Sequence, residues 1–248
     1  MPAEEERRGK SAKQEKAQVS LWERIERPAP PPRATLSAHR IAAVAVAIAD
    51  AEGIDAVTMR RLATELGVAP MATYRHVSGK GELLELMVDF VYGELALPDP
   101  AVGWRDAMRT LAERTRAMLL DHPWMSRGDV LALTPNQLAL TESGLAVLDG
   151  LGLDTDTMMA VFRTVAAYVH GSVTAEINLL RLMQDQGWSN GDETRAGLAS
   201  RMTWLMDTGR YPAYRRYAGE ATRKDDREWQ FGVGLDCVLD GIAARMGI

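Results

Sequence analysis

Residues 58–77, TMRRLATELGVAPMATYRHV, decide how the rest of the chain is read. Met59, Leu62, Ala63 and Leu66 recur at helical spacing and predict a first short helix with one apolar stripe. Thr58 stands where an N-cap is wanted, its hydroxyl placed to accept from the unpaired amides of the first turn. Gly67 follows the last periodic residue, where a left-handed backbone costs glycine little. A second short helix is predicted over about residues 69–76, carrying Met71, Thr73, Tyr74, Arg75 and His76. Those side chains can meet base edges, thymine methyls and phosphates without being buried. Two short helices joined by a tight turn are the geometry that sets a helix in the major groove of DNA.

Charge is distributed to match. The whole chain of 248 residues has a formal charge of −5, which by itself argues against a nucleic-acid binder. Residues 1–80, however, hold 13 Lys/Arg against 10 Asp/Glu, whereas residues 81–248 hold 16 against 24. Within residues 58–80 the only acid is Glu65, against Arg60, Arg61, Arg75 and Lys80. A basic head on an acidic body localises phosphate attraction to one end and makes binding oriented and salt-sensitive.

On either side the pattern is helical. Ile41, Val44, Ala45 and Ile48 line one face of a helix capped by Ser37 and ended near Gly53. After Gly79 an amphipathic helix carries Leu83, Leu84, Met87, Val88, Val91 and Leu95, and Pro98 and Pro100 mark a joint. Further helices are predicted over 104–120, 137–148, 156–186, 194–208 and 228–246, with polar loops at 186–192 and 219–225. No run alternates as a strand would, so the fold class is all-α. The expected division is an arm at 1–33, a helix-turn-helix head at 34–80 and a larger helical body at 81–248. The arm is charged and Pro-rich (Pro28, Pro30, Pro31, Pro32). It reads either as a disordered tail, with Leu21, Trp22 and Ile25 forming a short docking turn, or as a basic arm placing Arg24, Arg27 or Arg33 in a minor groove.

The residues quoted, and above all Tyr74-Arg75-His76-Val77 followed by Lys80 and Leu83-Leu84, resemble the TetR family of transcriptional repressors, close to its tetracycline-repressor branch. The resemblance runs from Leu36 to about Ile242, with weaker echoes at His122-Pro123-Trp124, Tyr211-Pro212 and the terminal helix. It implies a DNA-binding head and a body that dimerises through its last helix and a long helix before it. It also implies a cavity whose small effector shifts the spacing of two heads. By the same resemblance Thr58 and Arg60 contact phosphate, Ala69, Pro70, Met71, Ala72 and Thr73 face bases, and Tyr74, His76 and Lys80 clamp phosphates. Arg75 reaches either a guanine or a phosphate. The competing reading leaves Tyr74 in the head core and His76 merely solvated.

For the body, Met and Trp at helical spacing are core material, and Met also suits adaptable apolar pockets. Trp104, Met108, Trp124, Phe162 and Tyr168 are the candidate lining of an effector cavity. Val173, Ile177, Leu235, Val238, Leu239 and Ile242 are the candidate dimer interface. The single Cys237 makes no internal disulfide and reads as a small core residue. The four histidines show no ligand spacing, so neither metal nor cofactor is expected, and the drug-chelate motif of the tetracycline repressor is not recognisable. Phe231-Gly232-Val233-Gly234 lacks a third glycine and a preceding strand, so it is no dinucleotide fingerprint. Asp236 and Asp240 read as solvated or interfacial. No stretch approaches the ~20 apolar residues that span a bilayer, and no secretory signal opens the chain, so a cytoplasmic, nucleoid-associated protein is expected. The expected partners are an operator duplex, a second copy and an unidentified small effector, with no membrane. Two rivals stay open: an all-α enzyme that happens to carry a helix-turn-helix, and a small-molecule-binding protein whose head no longer touches DNA.

Overall fold

The computed structural model describes Trp22 and residues 36–99, 101–126 and 133–248. The predicted arm with Arg24, Arg27 and Arg33, the rest of the turn around Trp22, and Pro100 lie outside the described residues. The described residues form helices α1 (Ala38–Glu52), α2 (Met59–Leu66), α3 (Pro70–Thr73), α4 (Lys80–Gly93), α5 (Trp104–Asp121), α6 (Pro135–Ala146), α7 (Thr155–Gln186), α8 (Gly191–Asp207), α9 (Pro212–Glu220) and α10 (Arg227–Met246). Short 3₁₀ turns stand at Ile54–Ala56 and Pro123–Ser126. Among the described residues there is no strand.

The chain divides into two compact units, with the boundary inside α4 between Phe90 and Val91. In the first unit Ser37 caps α1, its hydroxyl accepting from the Arg40 amide at 3.2 Å. The buried face of α1 is Ile41, Ala42, Ala45, Val46, Ile48 and Ala49. Leu62, Ala63 and Leu66 of α2 are buried with Val57, Val77, Leu83, Leu86, Met87 and Val88. Helix α1 packs on α2, and α2 on α3.

In the second unit α5 and α10 pack against α7. Their core is one cluster: Met108, Leu111 and Leu119 of α5, Val161, Val165, Val169, Val173 and Ile177 of α7, and Phe231, Leu235, Leu239 and Ile242 of α10. Asp154 caps α7 by accepting from the Thr157 amide at 2.9 Å. These bonds from Thr157 hold the Asp154 carboxyl below its usual value.

Two sequence expectations are corrected by this packing. Val173, Ile177, Leu235, Leu239 and Ile242 are buried inside their own chain, and Val238 packs partly against the same cluster. The five buried residues hold the body together, whereas Val238 keeps part of its surface open. Cys237 is exposed. The inward stripe of α10 is 231, 235, 239 and 242, and two residues past Leu235 is about 200° around the helix. Asp236 and Asp240 pair within the chain, with Arg109 and Arg105 respectively. Helix α9 is not among the predicted elements; Pro212, pre-set for a first helical turn, is its one local signal.

Candidate nucleic-acid interface and body cavity

The helix-turn-helix is built by its caps. The Thr58 hydroxyl accepts from the Arg61 amide at 3.1 Å and starts α2. Gly67 ends it with φ 67°, a left-handed angle that a side chain would resist. Pro70 opens α3, where a missing amide hydrogen costs nothing. The α-helical part is only Pro70–Thr73; Tyr74 remains right-handed and the chain continues as a tight turn to His76. No side chain caps α3 at its start, and the His76 and Val77 amides both return to the Thr73 carbonyl. This competition closes the helix a turn earlier than the sequence predicts.

The exposed surface of this segment is Thr58, Arg60, Ala69, Pro70, Met71, Tyr74, Arg75 and Lys80, with Ala72 and His76 half-buried. Met71 is 71% exposed and Tyr74 44%, too open for Tyr74 to serve as a core residue. Thr73 differs from its neighbours. It is fully buried and its hydroxyl donates to the Pro70 carbonyl at 2.7 Å, so it supports α3 from inside and faces no base.

Charge is sorted among the arginines. Arg61 is held by Glu52 at 2.8 Å and Glu65 at 2.9 Å. Among the described residues Arg60, Arg75 and Lys80 have no acidic partner. Burial, and secondarily the Arg75 guanidinium, push the His76 imidazole below its ordinary value. At neutral pH His76 is therefore an uncharged hydrogen-bonding group. At the start of α4 the Glu82 carboxylate accepts from the Ser78 amide at 2.7 Å and orders the turn that carries Lys80.

Within the second unit a cavity of about 150 Å³ lies among α5, α6, α7 and Tyr92 at the end of α4. Of the five residues named from sequence, Met108 and Phe162 are in its wall, and Trp104, Trp124 and Tyr168 are not. Trp124 is buried, Trp104 packs on the core cluster, and the Tyr168 hydroxyl donates to the Phe231 carbonyl at 2.6 Å. The sequence reading missed Tyr92, Thr115, Gln137, Leu140 and Thr141. Gln137 and Thr141 are one helical turn apart, a signal that was available but is common on solvated helices. Burial raises the Tyr92 phenol's value above the ordinary one, partly offset by a hydrogen bond to Gln137. No Asp, Glu, Lys or Arg lines the wall, and His170 stands at its edge with its imidazole pushed down by burial. The result is an apolar chamber with a few neutral hydrogen-bonding groups. Among the described residues no three His, Cys, Asp or Glu side chains converge as a metal site would require, and no helix is long and apolar enough to cross a membrane.

A helix-turn-helix head whose Arg60, Arg75 and Lys80 have no acidic partner among the described residues, joined to a helical body, makes this a DNA-binding transcriptional regulator. Residues 41–87 match the family described as bacterial regulatory proteins, tetR family, and residues 97–246 match the tetracyclin repressor-like C-terminal domain. The chain belongs to the TetR family. It is 32% identical over 226 residues to the HTH-type transcriptional repressor DrrR1 of Streptomyces coeruleorubidus, covering 90% of this chain and 83% of that one. It is also 32% identical over 251 residues to an HTH-type transcriptional regulator of Saccharopolyspora erythraea, covering 97% and 98%. Among solved structures it is similar to the TetR family protein ActR of Streptomyces coelicolor in complex with actinorhodin, with a TM-score of 0.70 and 28% identity, covering 86% of this chain and 97% of that one.

Proposed function

We propose that this chain is a homodimeric repressor released from a palindromic operator by a small, largely apolar effector. The observation that carries the reading is the surface of α2, α3 and the start of α4, where Arg60, Arg75 and Lys80 have no acidic partner among the described residues and surround exposed Met71 and Tyr74. Arg60, Tyr74, His76 and Lys80 hold phosphates, together with the Thr58 turn. Ala69, Pro70, Met71 and Ala72 meet base edges, largely through apolar contact with thymine methyls and through groove shape. Arg75 adds a guanine or phosphate contact.

Dimerisation uses the outer faces of α7 and α10, where Val233, Cys237, Gly241 and Ala244 are exposed. Two heads then read half-sites about one helical turn or a multiple apart. The effector enters the chamber of Met108, Phe162, Gln137 and Tyr92. A cavity of about 150 Å³ holds roughly one aromatic ring, so a larger effector is accommodated only by an expanded body. The effector releases DNA to the extent that it binds the expanded state better than the operator-bound one. The solved complex of the similar protein ActR with actinorhodin supports a small-molecule effector.

The test is selection of bound sequences from random duplex DNA by the purified protein at stated salt, followed by competition with candidate effectors. An enriched palindrome that is lost on adding an effector supports the reading. Absence of enrichment at low salt overturns it and returns the chain to the rival of a binding protein with a silent head.

A further inference from the structure

We propose that the second unit carries a second small-molecule site, sharing no residue with the first cavity, that takes a planar aromatic monoanion. It is a cavity of about 380 Å³ between the C-terminal end of α7, helices α8 and α9, and the first turn of α10. That volume falls within the range of roughly 300–1,000 Å³ common for small-molecule sites.

Its chemistry is opposite to that of the first chamber. Leu179, Met183, Leu198 and Met202 supply apolar wall, and Tyr214 and Tyr217 stand beside it with ring centroids 5.6 Å apart. Both tyrosines are about half exposed, and their planes are inclined by 56°, so a flat ligand can lie against one ring and meet the other at an angle. Charged groups close the remaining side: Arg195, Lys224, Asp225 and Arg227. Asp225 is spent on Arg195, which reaches its two oxygens at 2.8 and 2.9 Å and also holds Asp192 at 2.6 Å.

Arg227 is the cation without a satisfactory partner. Its guanidinium donates to the Met183 sulfur at 3.7 Å and stands 3.9 Å from the Glu176 carboxylate. Glu176 is already taken by Arg116 at 2.8 Å, and both of those side chains are largely buried. Two guanidiniums therefore share one carboxylate, and a sulfur is a weak acceptor. Arg227 is therefore only loosely paired in an apolar-walled pocket, and with its side chain 32% exposed it stays within reach of a ligand's charge. An aromatic carboxylate, sulfonate or phenolate would lay its ring against one of the tyrosines and place its charge on Arg227, with Lys224, which donates to the Ala218 carbonyl, in the same wall. Because Arg116 also lies over the Phe231 ring at 5.0 Å, drawing Arg227 toward a ligand alters the Glu176 pairing and reaches the body core.

The test uses the full chain and two fluorescent probes with one aromatic skeleton, 8-anilinonaphthalene-1-sulfonate and its uncharged counterpart N-phenyl-1-naphthylamine. The expected result is one saturable sulfonate site per chain, with the uncharged probe about tenfold weaker. Arg227→Gln and Met202→Trp, the latter filling the cavity, should each weaken the sulfonate at least about tenfold, whereas Leu140→Trp, in the first cavity, should not. If Arg227→Gln does not fold, Tyr217→Ala, altering a half-exposed ring, decides in its place. Equal affinity for the two probes, no sulfonate binding, or binding lost only in Leu140→Trp would each overturn the proposal.

Discussion

The Thr73 hydroxyl bonds the carbonyl of Pro70 at 2.7 Å and closes α3 on itself, one residue before the exposed ring of Tyr74. A buried side chain and a DNA-facing one are thus neighbours in sequence. Thr73→Val, which keeps the shape and removes the hydrogen bond, should lower stability by about 1 kcal/mol and leave the preferred operator sequence unchanged. Met71→Ala should do the reverse, altering base preference at one position per half-site with an unchanged melting temperature. Thermal melts and sequence selection on both variants separate the roles.

Tyr74→Ala combined with Lys80→Ala should weaken DNA binding on every sequence while leaving the dimer intact. Loss of each lysine–phosphate contact should reduce the slope of log affinity against log salt by about 1, whereas loss of the neutral Tyr74 contact should lower affinity at every salt concentration. A salt titration with an unchanged slope would remove Lys80 from the phosphate clamp, and unchanged affinity of Tyr74→Ala alone would remove Tyr74.

Leu239→Glu should abolish folding, because Leu239 lies fully buried among α5, α7 and α10 and an unpaired charge there has no compensation. Val233→Glu and Cys237→Glu, on the outer face of α10, should retain the melting transition and yield monomers. Sedimentation of those two variants decides whether that face is where copies meet.

At Gly144 in α6 a Cβ would meet the Phe162 ring, which lines the first cavity. Gly144→Ala must displace that ring, with an expected loss of about 1–3 kcal/mol and a change in effector affinity. Denaturant unfolding measures the first and effector titration the second.

Acidification should act in two windows. The folded-state values of His76 and His170 lie below 6.5, so the unfolded chain takes protons first. Their contribution to stability is therefore constant at high pH and declines as pH falls below 6.5. Asp154 and Asp225, held below 3.8 by bonds from Thr157 and Arg195, add stabilisation that is lost only as pH falls below that value. Melting temperatures measured from about pH 7.5 to about pH 3 should show both declines, and His76→Gln with His170→Gln should flatten the upper one alone.

The head was legible because its signals are local: Ser37, Thr58 and Gly67 cap or end helices through bonds within a few residues. The all-α class and the long α7 followed from periodicity in the same way. Register over that helix was harder. Leu180, an apolar residue three past Ile177, is 41% exposed, because the buried row runs through 165, 169, 173 and 177 and turns off that face. The inward residues of α7 and α10 were correctly apolar but assigned to the wrong neighbour, since a stripe does not say whether its own chain or another copy covers it. Cavity walls were least legible. Tyr92, Thr115 and Gln137 meet only after three separate helices pack, whereas the large aromatics at Trp104, Trp124 and Tyr168 are absorbed elsewhere.

Helices α8 and α9 contribute no buried side chain, and Trp204 at 69% exposure is typical of their surface. Their backbone bonds within a single chain are guarded by little besides the helices themselves, whereas those of α5, α7 and α10 are covered by the body core. The two segments can consequently open without breaching that core, at a fraction of the global unfolding cost. Amide hydrogens in residues 191–220 should exchange with deuterium well ahead of those in residues 158–177. A protease should find the Thr208–Tyr211 connection first, leaving two fragments that stay together because the second carries α10, whose Phe231, Leu235, Leu239 and Ile242 sit in the body core.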